Sequence, residues 1–267
     1  MGIEHATPVI LLLMVALVGP VLYYIKVARD GANLYVRRIP GIDAIDEATA
    51  RAAEVGRPVA FSLGLSGIGP VLYACLGVLY YVAKKASVFK SKLLVPQSAP
   101  EVMAIAEDTV HDAYRDAGKL GQFDPSSVMY LSDEQFAYAA GYVGMVQREK
   151  VASAFLFGSF AAESLILAEA GQQIGAMQVS ATVSPEQVAF FICTCDYTLI
   201  GEELFAASAY LTHEPVQLGS LIAQDRAKLL FVLMIVCGVI IATLNSVFEW
   251  NISNIDTYIL KGWGEYL

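Results

Sequence analysis

LLFVLMIVCGVIIATLNSVF, residues 229–248, carries no charged side chain. A helix of roughly 20 residues, rising about 1.5 Å per residue, matches a hydrocarbon core of about 30 Å. Asp225, Arg226 and Lys228 precede the stretch, and Glu249 and Trp250 close it. A helix in a soluble core is rarely apolar all round at this length. Residues 228–248 are therefore expected to form a transmembrane helix, and everything before them to be held at a bilayer.

The rest of the chain fits that expectation. With 56% hydrophobic and 16% charged residues and a mean hydropathy of +0.55, it is too apolar for an ordinary soluble domain and too polar for a polytopic bundle. A formal net charge of −9 and the lack of a Lys/Arg run exclude nucleic acid as the expected partner. Four cysteines, Cys75, Cys193, Cys195 and Cys237, make no disulfide framework.

A first apolar run, TPVILLLMVALVGPVLYYI (7–25), follows a leader (1–6) without Lys or Arg and is not followed by a small-residue cleavage motif. It is expected to be a second, retained span kinked at Gly19-Pro20, with Tyr23 and Tyr24 in the interfacial belt. Lys26, Arg29, Arg37 and Arg38 follow this span, and Arg226 and Lys228 precede the other, whereas the outer flanks carry Glu4, Glu249 and Asp256. The positive-inside rule then places the middle of the chain in the cytoplasm of an inner membrane and both termini outside.

Between the spans the pattern alternates. Residues 26–57 are expected to be a juxtamembrane linker ending in an amphipathic helix, with Ile42, Ile45, Thr49, Ala52 and Val55 on one face and Gly56 as its stop. Residues 58–226 are expected to form an α/β domain. Short apolar runs at 59–63, 92–96, 127–131, 154–158 and 176–180 have the form of buried parallel strands. Helices are predicted at 70–86, 99–117, 133–147, 160–170 and 200–211, giving a largely parallel sheet with covering helices. The uncharged stretch 59–83 is long enough for a third span, but Gly64, Gly67, Gly69 and Pro70 interrupt it, which favours strand, glycine turn and buried helix. The tail, 249–267, is expected to be an external amphipathic segment.

Three stretches, RRIPGIDAIDEATARAAEVGRPV (37–59), LSDEQFAYAAG (131–141) and CDYTLIGEELFAASAYL (195–211) followed by LGSL (218–221), resemble an uncharacterised prokaryotic membrane-protein family, the domain of unknown function DUF6754. The resemblance implies an N-terminal span, a cytoplasmic α/β domain and a C-terminal span. It implies no activity.

Chemistry-bearing residues are few. The loop Gly64-Leu65-Ser66-Gly67-Ile68-Gly69 sits where backbone amides can cradle a phosphate, with Gly64, Gly67 and Gly69 as candidate cofactor-binding positions. Its spacing matches neither a dinucleotide fingerprint nor a Walker loop, and a packing turn is the simpler expectation. Cys193 and Cys195 would point the same way in an extended strand and could hold zinc or copper. Without a second pair, and with His5, His111 and His213 scattered, buried apolar thiols are expected instead. The carboxylates Glu163, Glu169, Asp196, Glu202 and Glu203 lie in apolar surroundings. Asp196 is expected to cap the following helix and Glu202 and Glu203 to favour its first turn, with no catalytic residue and no cofactor assigned.

The segment QFAYAAGYVGM (135–145) looks too apolar to stay wet. Phe136, Tyr138, Tyr142, Glu163, Asp196, Glu202 and Glu203 are accordingly candidates for an oligomer interface. The leading expectation is a non-enzymatic, membrane-anchored scaffold, its partners lipid and copies of itself. The alternatives are an accessory subunit anchoring a larger membrane complex, an α/β nucleotide-binding sensor or enzyme using the 64–69 loop with Asp196 or Glu202, and a channel formed by oligomerised spans.

Overall fold

The computed structural model describes residues 8–31 and 39–248; the expected external tail and the arginines at 37 and 38 lie outside them. The chain divides into two compact units, one made by its first and last helices, the other by Arg37–His213.

Proline punctuates the elements. The first helix, α1, is Pro8–Arg29. Pro40 opens α2 (Pro40–Val55), which stops at Gly56 in the left-handed region, φ 68°, a conformation glycine adopts without strain. Strand β1 (Val59–Gly64) leads to α3 (Pro70–Phe89), β2 (Leu93–Gln97) to α4 (Pro100–Asp116), and β3 (Val128–Tyr130) to α5 (Gln135–Glu149). Then follow β4 (Ser153–Ser159), α6 (Glu163–Gln173), β5 (Met177–Thr182), α7 (Pro185–Thr194), β6 (Tyr197–Ile200), α8 (Glu203–Thr212) and α9 (Pro215–Phe248). Pro40, Pro70, Pro100 and Pro185 stand in the first turn of their helices, where an amide donor would have no partner anyway.

The six strands are all parallel, in the order β3-β2-β1-β4-β5-β6. Such a sheet is covered on both faces, which explains the continuous apolar runs. On one face α2, α3, α4 and α8 pack over Phe61, Phe155 and Phe157, whose rings lie 5.5–6.2 Å apart. On the other, α5, α6 and α7 pack around Tyr138, Tyr142, Leu167 and Phe191. Helix α2, expected in the linker, is part of this unit. Ile42, Ile45, Ala48, Thr49 and Ala52 are buried, and Ser153 Oγ donates to the Ala48 carbonyl at 2.6 Å. Val55 alone of its expected apolar face is exposed.

Residues 59–83 form strand, turn and helix, and more than half of the α3 window is buried inside the α/β unit. Among the described residues, three helices, α1, α3 and α9, are by length and composition apolar enough to cross a membrane. Two elements depart from expectation. The run 185–200 folds as a helix, α7, and a short edge strand, β6. Cys193 and Thr194 therefore end a helix, with Cys195 beyond it, and the two thiols do not share a strand face.

In the other unit, α1 and α9 form a pair. Half-buried positions recur every three or four residues along both, at Leu13, Ala16, Leu17, Pro20, Val21 and Tyr24 on α1 and at Ala227, Leu230, Met234 and Gly238 on α9, beyond buried Gly219 and Ala223. A Cβ on Gly219 would lie 2.6 Å from the backbone of Ile25, so the late part of α1 meets the early part of α9. Both seams run the length of their helices, which makes the pair antiparallel. The pairing also staggers the apolar runs by about ten residues, roughly 15 Å. Lys26 stands level with Leu218, whereas Asp225, Arg226 and Lys228 stand level with Ala16–Gly19.

Candidate functional site

Strands β1 and β4 are neighbours whose following helices leave on opposite faces. In doubly wound sheets ligands bind at this switch point, outside the carboxyl ends of the strands. The predicted glycine loop begins here.

The backbone closes the crevice. Gly64, φ 61°, and Gly158, φ 149°, bring β1 and β4 together, and a Cβ on either would lie 2.4 or 2.3 Å from the carbonyl oxygen of Ser159 or Leu63. Ser66 Oγ donates to the Leu63 carbonyl at 2.6 Å and accepts from the Ser159 amide at 2.8 Å. The Gly64 amide donates to Ser62 Oγ, Leu65 to the Ser159 carbonyl and Ser66 to that of Leu63. A phosphate cradle needs open amides, and these three are engaged inside the fold. Phe160 fills the space beside them, its ring edge-on to Phe191 at 5.2 Å. Gly67 and Gly69 lie beyond this knot with open space around them.

Beneath the loop lies a buried polar network. Tyr138 Oη and Ser62 Oγ share a hydrogen bond of 2.7 Å, and burial pushes the Tyr138 hydroxyl up, so it stays protonated. Glu163 is fully buried. One carboxylate oxygen accepts from the Ala161 amide at 2.9 Å and the other from Gln135 Nε2 at 2.6 Å, which locks the first turn of α6 to the start of α5. Ser164 donates to Gln187. Tyr142 Oη and the amide of Gln97 are buried without a protein partner. Both carboxylate oxygens of Glu163 have a donor, so the carboxylate positions helices.

The interface candidates thus separate. Tyr138, Tyr142 and Glu163 are wholly buried, hence without surface to offer another chain. The helix turns these tyrosines inward and leaves Phe136 63% exposed. Asp196 caps no helix; its carboxylate accepts from the Gln178 amide at 2.7 Å and holds β6 to β5. Glu203 accepts from the Ile200 amide at 3.0 Å in the first turn of α8, and Glu202 stands exposed at its cap position. Among the described residues no cluster of His, Cys, Asp or Glu has metal-binding geometry.

Burial pushes the Cys195 thiol up to about 11, opposed by hydrogen bonds from Ser180 and Thr194. At neutral pH it carries its proton and is a poor nucleophile. Maleimide alkylation of Cys195, followed by peptide mass spectrometry, is expected to be slow at pH 7 and to accelerate as pH approaches 11. Rapid reaction at pH 7 would contradict its burial.

A cleft of ≈ 540 Å³ lies at the opposite, amino end of the sheet, lined among others by Lys90, Ser91, Lys92, Tyr114, Arg148 and Glu149. Lys92 and Arg148 both pair with Glu149, at 2.8 and 3.5 Å. Sequence motifs gave no sign of it, because its lining comes from three separate stretches, the end of α3 into β2, α4 into β3, and the end of α5.

Strand order and closed switch point define a doubly wound α/β protein that carries, as a second unit, a pair of apolar helices. The chain belongs to the family of the domain of unknown function DUF6754, whose model matches residues 3–253. No curated protein and no solved structure matches it.

Proposed function

We propose that the chain is a membrane-anchored, non-enzymatic scaffold that assembles with copies of itself, its α/β unit on the cytoplasmic side. The α1–α9 pair carries this reading. Leu12, Val15 and Leu22 on α1 and Leu233, Ile235 and Val239 on α9 are each more than half exposed. Water disfavours such surface by roughly 25 cal/mol per Å², and lipid does not.

The stagger supports assembly as well as anchoring. With α1 across the bilayer, Asp225, Arg226 and Lys228 lie at the depth of its middle. The side chains of Asp225 and Lys228 are 69% and 45% exposed, 3.8 Å from each other. A charge near the bilayer centre costs about 2.5–3.5 kcal/mol, so neighbouring copies that cover this band stabilise it. Exposed Phe136, Ile68 and Tyr73, near the carboxyl ends of the strands, add apolar surface of the kind that partners cover.

Native mass spectrometry of the chain released from detergent is expected to show a defined homo-oligomer. Monomers at every concentration would sink the assembly reading, and stoichiometric foreign subunits from native membranes would favour an accessory subunit. The strand order favours a second reading, a nucleotide-binding unit, against which stand the engaged amides of Gly64, Leu65 and Ser66. A thermal shift of several degrees with a nucleotide in the same preparation would reverse that preference.

A further inference from the structure

The α/β unit is polarised along its strands. All ten Lys and Arg residues between 39 and 213 lie in the last two turns of helices or in the helix-to-strand connections. Arg51 and Arg57 stand at the end of α2 and before β1, Lys84 and Lys85 late in α3, and Lys90 and Lys92 between α3 and β2. Arg115 and Lys119 flank the end of α4, and Arg148 and Lys150 that of α5. In a parallel α/β sheet these positions all converge on the amino edge of the strands. The opposite connections, from strand to helix, hold no basic residue and carry Asp133, Glu134 and Glu202.

Two further features mark the amino edge. Val55, Val88, Phe89 and Leu120 are exposed there, between 44% and 54%, at the same turns as the cations. Among the described residues, Arg57, Lys90, Lys119 and Lys150 have no ion pair. Lys90 and Lys150 hold the left-handed cap positions of their helices, φ 58° and 50°. Unpaired cations interleaved with exposed apolar side chains suit one kind of surface, an anionic bilayer interface, where headgroups meet the charges and the acyl boundary meets Val88, Phe89 and Leu120.

We infer that the amino edge of the sheet docks on anionic lipid headgroups, an inference that rests on the membrane-anchored reading above. The test uses the full chain in nanodiscs of phosphatidylcholine alone or with phosphatidylglycerol, read by amide hydrogen exchange. Exchange at 55–57, 88–92 and 117–121 is expected to slow on the order of tenfold in the anionic discs, and the protection to fade at high salt. Lys90→Glu with Lys119→Glu is expected to abolish it while exchange in β1 and β4 stays unchanged. Salt reversal in the unaltered chain tests the same point should the variant fold poorly. Equal exchange in both lipids, with the chain retained in the disc, overturns the docking and leaves the anchor standing. Protection that follows the number of copies per disc assigns the edge to self-contact and also overturns it. A chain that never enters the discs overturns the anchor and the docking together.

Discussion

Gly158→Ala is expected to lower stability by about 3–5 kcal/mol, well beyond the usual cost of a point substitution. The added methyl would lie 2.3 Å from the Leu63 carbonyl oxygen and 2.6 Å from Ser66 Oγ, at a φ of 149°. The neighbour is backbone, so no rotamer change relieves the overlap; β1 and β4 must part. Parting them breaks the bonds from the Ser159 amide to Ser66 Oγ and from the Leu65 amide to the Ser159 carbonyl, and exposes the Gly64–Ser62 turn. An unusual φ adds about 1–3 kcal/mol. In a unit of this size the sum corresponds to a melting point lower by roughly 10 °C or more, measurable by scanning fluorimetry in detergent. Ser66→Ala, which removes only the side-chain bonds, is expected to cost about 1–2 kcal/mol. If Gly158→Ala melts with the unaltered chain, the closed switch point is not built as described.

How much of this was legible in the sequence differs by element. Five strands were marked by apolar runs between turn residues, since a strand covered on both faces has no alternation to obscure it. Strand β6 was missed for the opposite reason. Tyr197 and Ile200 are exposed and only Leu199 is buried, so the edge strand blends into the apolar helix before it. Asp196 looked like a helix cap because both capping and strand-pairing carboxylates accept a backbone amide; the β5 partner was invisible without the sheet. Averaged over the whole of 135–145, apolar content marks Tyr138 and Tyr142 as surface. Their spacing of four, continued at Val146, was the helical signal that they face inward. Polarisation of charge needed topology. The cations lie near turns in sequence, but only parallel strands gather those turns on one edge.

Gly219→Leu is the substitution with the other large expected effect, and it tests the pair on which anchoring depends. The Cβ of any side chain at 219 would lie 2.6 Å from the Ile25 Cα and N and 2.8 Å from the Tyr24 carbonyl carbon. Helices in lipid associate through such close backbone approach, because no hydrophobic gain drives them together there. Gly219→Ala is expected to push the axes apart by roughly 1 Å and Gly219→Leu by more. Spin labels at Lys26→Cys and Leu218→Cys, read by electron resonance in nanodiscs, should report the separation; an unchanged distance in Gly219→Leu would show that the two backbones do not meet. The same variant bears on assembly. On the membrane-anchored reading, close contact at Gly219 fixes the stagger that would hold Asp225, Arg226 and Lys228 at mid-depth, so releasing α1 would let the apolar runs slide flush and the charges reach the headgroups. The oligomer should then weaken as the helices part. An oligomer that persists while the pair opens would mean that copies are held by the α/β units, with Phe136, Ile68 and Tyr73 the surface to alter next.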